Sequence, residues 1–96
     1  MNYISQHARE RFSERYNIDL PPVEYLLNNG IRQISINRKG HIVNNPNKSI
    51  YRCIYNNSII EYVLSKQKNG DNVVCTFNTP PLSMDEKCLS YEESEG

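Results

Sequence analysis

The chain has 96 residues, 38% of them hydrophobic and 23% charged, with equal numbers of acidic and basic side chains and a mean hydropathy of −0.70. That length holds a single core, and the composition excludes a chain too polar to fold. No apolar run approaches the roughly 20 residues of a membrane span, and no secretory leader is expected, so the reading is a cytoplasmic protein with no membrane partner.

The zero net charge is made of two unequal parts. Residues 1–84 carry +4 and residues 85–96 carry −4. The expected organisation is therefore one mildly basic domain, 1–84, followed by an acidic, solvated and mobile tail, 85–96. The tail could also mask a basic surface.

Cys53, Cys75 and Cys88 are widely spaced, with no Cys-x-x-Cys pair and no nearby histidine ligand. Free thiols are expected, with no metal and no cofactor. Thirteen asparagines, paired at 28–29, 44–45 and 56–57, act as turn signals. Their abundance suits an AT-rich coding genome, such as many bacteriophages have.

In chain order, Ile4, Ala8, Phe12 and Tyr16 make one apolar stripe, so a helix capped by Ser5 should run to about Asn17. Pro21 and Pro22 open a short second helix with Val23, Leu26 and Leu27 inward, stopped by Gly30. From Ile31 the period becomes two. A first strand spans 31–36, and turns are expected over Arg38-Lys39-Gly40 and 44–48. Ser49 to Tyr55 is a second strand, with Tyr51, Cys53 and Tyr55 on one face and Ile50, Arg52 and Ile54 on the other. Asn56-Asn57 makes a hairpin to a third strand, Ile59 to Ser65. A turn at 68–71 leads to a fourth, Asn72 to Phe77, where Val73, Cys75 and Phe77 should oppose Val74 and Thr76. The fold class is α+β: two N-terminal helices packed on a three- to four-stranded antiparallel sheet.

Chemistry is concentrated in a row beside the apolar stripe. His7, Arg11 and Arg15 stand one helical turn apart, about 6 Å per step. Such a row can be the ordinary polar boundary of an amphipathic helix, with arginine stems packed and heads wet. It can equally hold an anion, most plausibly a phosphate, since guanidinium stays charged and matches phosphate oxygens in pairs. Arg38, Lys39 and His41 offer a basic loop, and Tyr51, Tyr55 and Tyr62 with Arg52 and Lys66 offer a stacking surface for single-stranded bases. Tyrosines on strands also serve as core-edge packing. Glu61 and Asp71 read as isolated surface charges.

His7-Ala8-x-x-Arg11-x-x-x-Arg15, followed by Ile18 and a helix from about Val23, resembles the opening of small phage and bacterial domains grouped with the barnase–EndoU–colicin–RelE ribonuclease superfamily. Asn72 to Phe77 looks like that family's last strand. The resemblance covers roughly residues 4–78. It implies a RelE/barnase-like fold and, in active members, metal-independent RNA cleavage. On that mapping His7 is the acid or base, Arg11 and Arg15 clamp the phosphate, and Thr76 donates a hydrogen bond to it. A second proton-transfer group would have to be a Tyr, a Lys or a carboxylate such as Glu61. The implied function is a small RNA-directed domain, either a toxin-like endoribonuclease or a degenerate RNA-binding relative. The other reading is a phage-encoded inhibitor or adaptor that binds a host protein without catalysis.

Overall fold

The computed structural model describes residues 1–43 and 47–89. It is an α+β arrangement of two helices, a five-stranded mixed sheet and a small second sheet. The elements are β1 (Tyr3–Ile4), α1 (Gln6–Arg15), α2 (Val23–Asn29), β2 (Ile31–Arg32), β3 (Ser35–Ile36), β4 (Ile42–Val43), β5 (Lys48–Tyr55), β6 (Ser58–Lys66), β7 (Asn72–Phe77) and β8 (Cys88–Leu89). The large sheet has the order β1-β7-β6-β5-β2 and the small one β4-β3-β8.

Local chemistry accounts for the helices. Ser5 Oγ accepts the Ala8 amide at 3.1 Å, which satisfies one of the free donors at the start of α1. The stripe Ile4, Ala8, Phe12 and Tyr16 is buried along its whole length. Helix α1 ends at Arg15, and Tyr16 closes it in an extended conformation. Helix α2 begins after Pro22 and sinks Leu26 completely.

Gly30 ends α2 with φ −74°, so it is not there for left-handed backbone. Its reason is space. A Cβ at this position would lie 2.2 Å from Tyr62 Oη and 2.9 Å from the Leu26 carbonyl oxygen. The same hydroxyl donates to that carbonyl at 2.6 Å.

Strands β5, β6 and β7 form the antiparallel meander that the alternation predicts, and Tyr51, Cys53 and Tyr55 share the face covered by the helices. Asn56 and Asn57 adopt φ 52° and 63°, the left-handed pair that a two-residue hairpin requires.

Four expectations are corrected. First, the strand expected over 31–36 is two: β2 pairs with β5, whereas β3 leaves for the small sheet. Second, the large sheet is not wholly antiparallel, because β1 lies parallel to β7. A two-residue strand is too short to announce itself by periodicity. Third, β7 does not alternate regularly. Leu64 pairs with Val74 while Val63 pairs with Thr76, so Cys75 is an extra residue in a bulge. Phe77 and Val74 therefore share the helix face, and Val73 and Thr76 the other. Fourth, part of the expected acidic tail is built into the fold. Residues 83–89 run along the sheet's other face, Cys88 packs against Ile50 and Val63, and β8 pairs with β3. The turn expected over 44–48 falls partly, at 44–46, outside the described residues. Residues 90–96 of the tail also lie outside them.

The core on the helix side is aromatic. Phe12 and Tyr16 stack with centroids 4.8 Å apart, and Phe77 meets Phe12 edge-on at 4.9 Å. Tyr62, fully buried, lies next in the same layer.

Candidate functional site

The α1 row is where the helical spacing puts it. Ala8 and Phe12 point into the core, so His7, Arg11 and Arg15 follow one another along a flank of the helix. His7 and Arg15 are exposed and Arg11 is partly covered. Two contacts orient the arginines. Arg11 Nη1 pairs with Glu14, and Arg15 Nη1 donates to the Phe77 carbonyl at 2.7 Å, which ties the end of α1 to the end of β7. Each guanidinium has donors left over, since a single bond uses one of five. The row presents cations without burying them.

Thr76 does not join that row. The bulge at Cys75 turns it to the opposite face, paired with Val63 and 5% exposed. A phosphate held by Arg11 and Arg15 is on the other side of the sheet from its hydroxyl.

Arg52 is also elsewhere. It is 1% exposed, and its Nε donates to Glu61 Oε1 at 2.8 Å. Its Nη1 donates to the carbonyls of Ser83, Met84 and Glu86, at 3.4, 3.1 and 2.6 Å. Glu61 is therefore no isolated surface charge: Oε1 takes Arg52 and Oε2 takes Asn78 Nδ2 at 2.7 Å. A buried charge pair of this kind persists only when its remaining donors and acceptors are satisfied, and here the backbone of 83–86 does so. The sequence holds a signal for this pair. A two-residue loop at Asn56-Asn57 sets Tyr55 opposite Ser58 and, by counting, Arg52 opposite Glu61.

The tyrosine surface is packing rather than an open platform. Tyr62 is fully buried, Tyr51 stacks on it at 6.1 Å, and Tyr55 meets Tyr25 edge-on at 4.8 Å beneath α2. Lys66 is exposed at the far end of β6. Arg38 and Lys39 are exposed in the β3–β4 turn, where Gly40 takes φ +84° and Asn37 Oδ1 accepts the amides of Lys39 and His41. That turn belongs to the small sheet, away from α1.

Burial shapes the titrating groups. Desolvation pushes the Tyr16 phenol up from 10.0 to about 12, although a hydrogen bond from the Glu61 amide opposes it. Burial raises Tyr62 further. It also raises the Cys53 and Cys88 thiols, which leaves both as poor nucleophiles. All three cysteines are free thiols. Among the described residues no group of His, Cys, Asp and Glu side chains is placed to hold a metal ion, and no helix is long and apolar enough to cross a membrane.

A second surface stands out by composition. Ile31, Ile34 and Ile42 are 59%, 72% and 72% exposed, and they line two adjoining grooves that share Arg32, Gln33 and Ile34. Exposed isoleucines gathered in one place are unusual on a small domain.

Comparison with protein-family models, with curated proteins and with solved structures found no match to this chain.

Proposed function

We propose that this domain is RNA-directed and holds a phosphate through His7, Arg11 and Arg15 on α1, with Arg38 and Lys39 as a separate backbone contact. One observation carries the reading: three cationic or potentially cationic side chains are lined up on the flank of a rigid, capped helix, exposed enough to meet a ligand. Guanidinium pairs with two phosphate oxygens at once, and RNA supplies phosphates at a spacing that a row can follow. The helices-on-sheet layering is in keeping with a barnase–EndoU–colicin–RelE relative. With Thr76 and Arg52 turned away, the reading commits to binding first, with His7 as the proton-transfer group if the site cuts.

The test is retention and integrity of a mixed RNA pool at low salt. Wild type should retard it, and Arg11→Ala/Arg15→Ala should weaken retention uniformly across sequences and flatten the salt dependence by roughly two phosphate contacts. Cleavage by wild type that disappears in His7→Ala would make it an endoribonuclease. Failure of wild type to retard or cut RNA sinks the proposal.

The isoleucine surface favours a second reading, an adaptor or inhibitor that docks a host protein through Ile31, Ile34 and Ile42. A partner captured from bacterial lysate, retained through nuclease and high salt and lost in Ile34→Asp, would support it over the first.

A further inference from the structure

The geometry points to a self-docking contact in which the acidic residues Glu92, Glu93 and Glu95 lie on the β3–β4 turn and compete with RNA for Arg38 and Lys39. For its consequence, though not for the contact itself, this rests on the RNA reading above.

The direction of the chain is the first argument. Strand β8 runs parallel to β3, with Ser35 opposite Cys88 and Ile36 opposite Leu89. The chain leaving Leu89 is therefore aimed the same way as the chain leaving Ile36, which reaches Arg38 two residues later. Glu92 follows Leu89 by three residues, a span of about 10 Å, and seven residues reach at most about 24 Å. The turn is within reach without rearrangement.

Charge is the second. Residues 90–96 carry three carboxylates and no cation, and the turn carries Arg38 and Lys39, with His41 at its end. The α1 row is the poorer target, because α1 covers one face of the large sheet while β8 packs with Ile50 and Val63 on the other. Arg52 fixes the launching point. Its bonds to three carbonyls of residues 83–86 hold the segment before β8 against the sheet, so the direction at Leu89 is set and not averaged. Each exposed ion pair contributes little by itself and is screened by salt. An anionic polymer would displace the contact, which suits a competitive mask.

Zero-length carbodiimide cross-linking of the full chain reads the contact without RNA. An equal mixture of isotopically labelled and unlabelled protein is cross-linked at low salt and mapped by mass spectrometry. Links from Glu92, Glu93 or Glu95 to Lys39, within one isotopic species and suppressed at high salt, are the expected result. Links confined to Lys66, Lys68 or Lys87, or links that mix the isotopes, overturn it. The consequence is read separately with Glu92→Gln/Glu93→Gln/Glu95→Gln, which should raise RNA affinity at least about fivefold at low salt, with the gain fading as salt rises. Unchanged affinity overturns the competition. Cross-links to Lys39 with no RNA bound by either protein would uphold the contact and defeat the RNA reading, so the two fail separately.

Discussion

The two faces of the large sheet are closed by opposite means. On one side two helices lay down aromatic rings: Phe12, Tyr16, Tyr62 and Phe77 contact each other and leave little for polar groups to do beyond finding a carbonyl. On the other, a strap of seven residues and a small sheet cover Ile50 and Val63, and the centre is an ion pair, Arg52–Glu61, with Asn78 beside it. A short strap has too little apolar area to hold itself down. Arg52 compensates by taking three strap carbonyls that would otherwise be buried without donors. The helix face is held by area and the strap face by hydrogen bonds to one guanidinium.

The largest effects should come from breaking each face at its centre. Phe77→Ala should destabilise by about 3–5 kcal/mol in urea unfolding, through lost burial and a cavity among rings. Arg52→Met should cost about as much, but for another reason: it strands the Glu61 carboxylate. Adding Glu61→Leu to Arg52→Met should recover much of that loss while leaving the strap open, seen as fast hydrogen exchange at Cys88 and slow exchange in β6. If the double variant is no better than the single, the strap face depends on the charge pair itself and the contrast collapses.

A smaller effect tests how tightly the helix face is closed. Gly30→Ala forces a methyl onto Tyr62 Oη and the Leu26 carbonyl and should cost about 1–3 kcal/mol. In a Tyr62→Phe background the same substitution should cost less, because the nearest obstructing atom is gone. Equal costs in the two backgrounds would mean that the carbonyl, not the hydroxyl, sets the limit.

Tyr16 connects the faces. Its ring belongs to the aromatic layer, yet its hydroxyl donates to the Asn78 carbonyl at 2.9 Å and accepts the Glu61 amide at 3.0 Å, behind the residue that holds Arg52. Tyr16→Phe should cost about 1–2 kcal/mol at neutral pH. The phenol's value is raised to about 12 in the folded state, so stability tied to the neutral form is complete below the ordinary value of 10.0 and is lost as pH rises through about 12. Wild type should thus lose stability across that interval, and Tyr16→Phe should lose less of it. Parallel losses in both proteins would put the alkaline transition on Tyr62 alone.

What the sequence makes legible is what repeats locally. Ile4, Ala8, Phe12 and Tyr16 announce α1 by spacing, and Asn56-Asn57 announces the hairpin by conformational preference. The alternation in β5 separates the tyrosine face from the Arg52 face correctly. It does not say what covers the second face, because that depends on residues 83–89, which pair in parallel and only for two residues. Thr76 was misplaced for a related reason: one extra residue at Cys75 inverts everything after it. For the candidate site, the α1 row is legible from the helix alone, whereas the buried fate of Arg52 needs cross-strand register and long-range packing together.

The smallest stability effect is the most useful one for function. Arg11 is half-exposed and its partner Glu14 more so, three residues along the same helix. Pairs of this kind contribute at most about 0.5 kcal/mol, since water already solvates both groups and salt screens them. Arg11→Ala should therefore leave the urea midpoint nearly unchanged, unlike every substitution above. If the row exists to hold a phosphate, the same variant should lose a measurable part of its RNA retention at low salt, because a ligand phosphate gains from the guanidinium what a solvated Glu14 does not. A large loss of stability would instead show that Arg11 packs its stem under the helix and belongs to the first face, and the α1 row would then be the polar margin of an ordinary amphipathic helix.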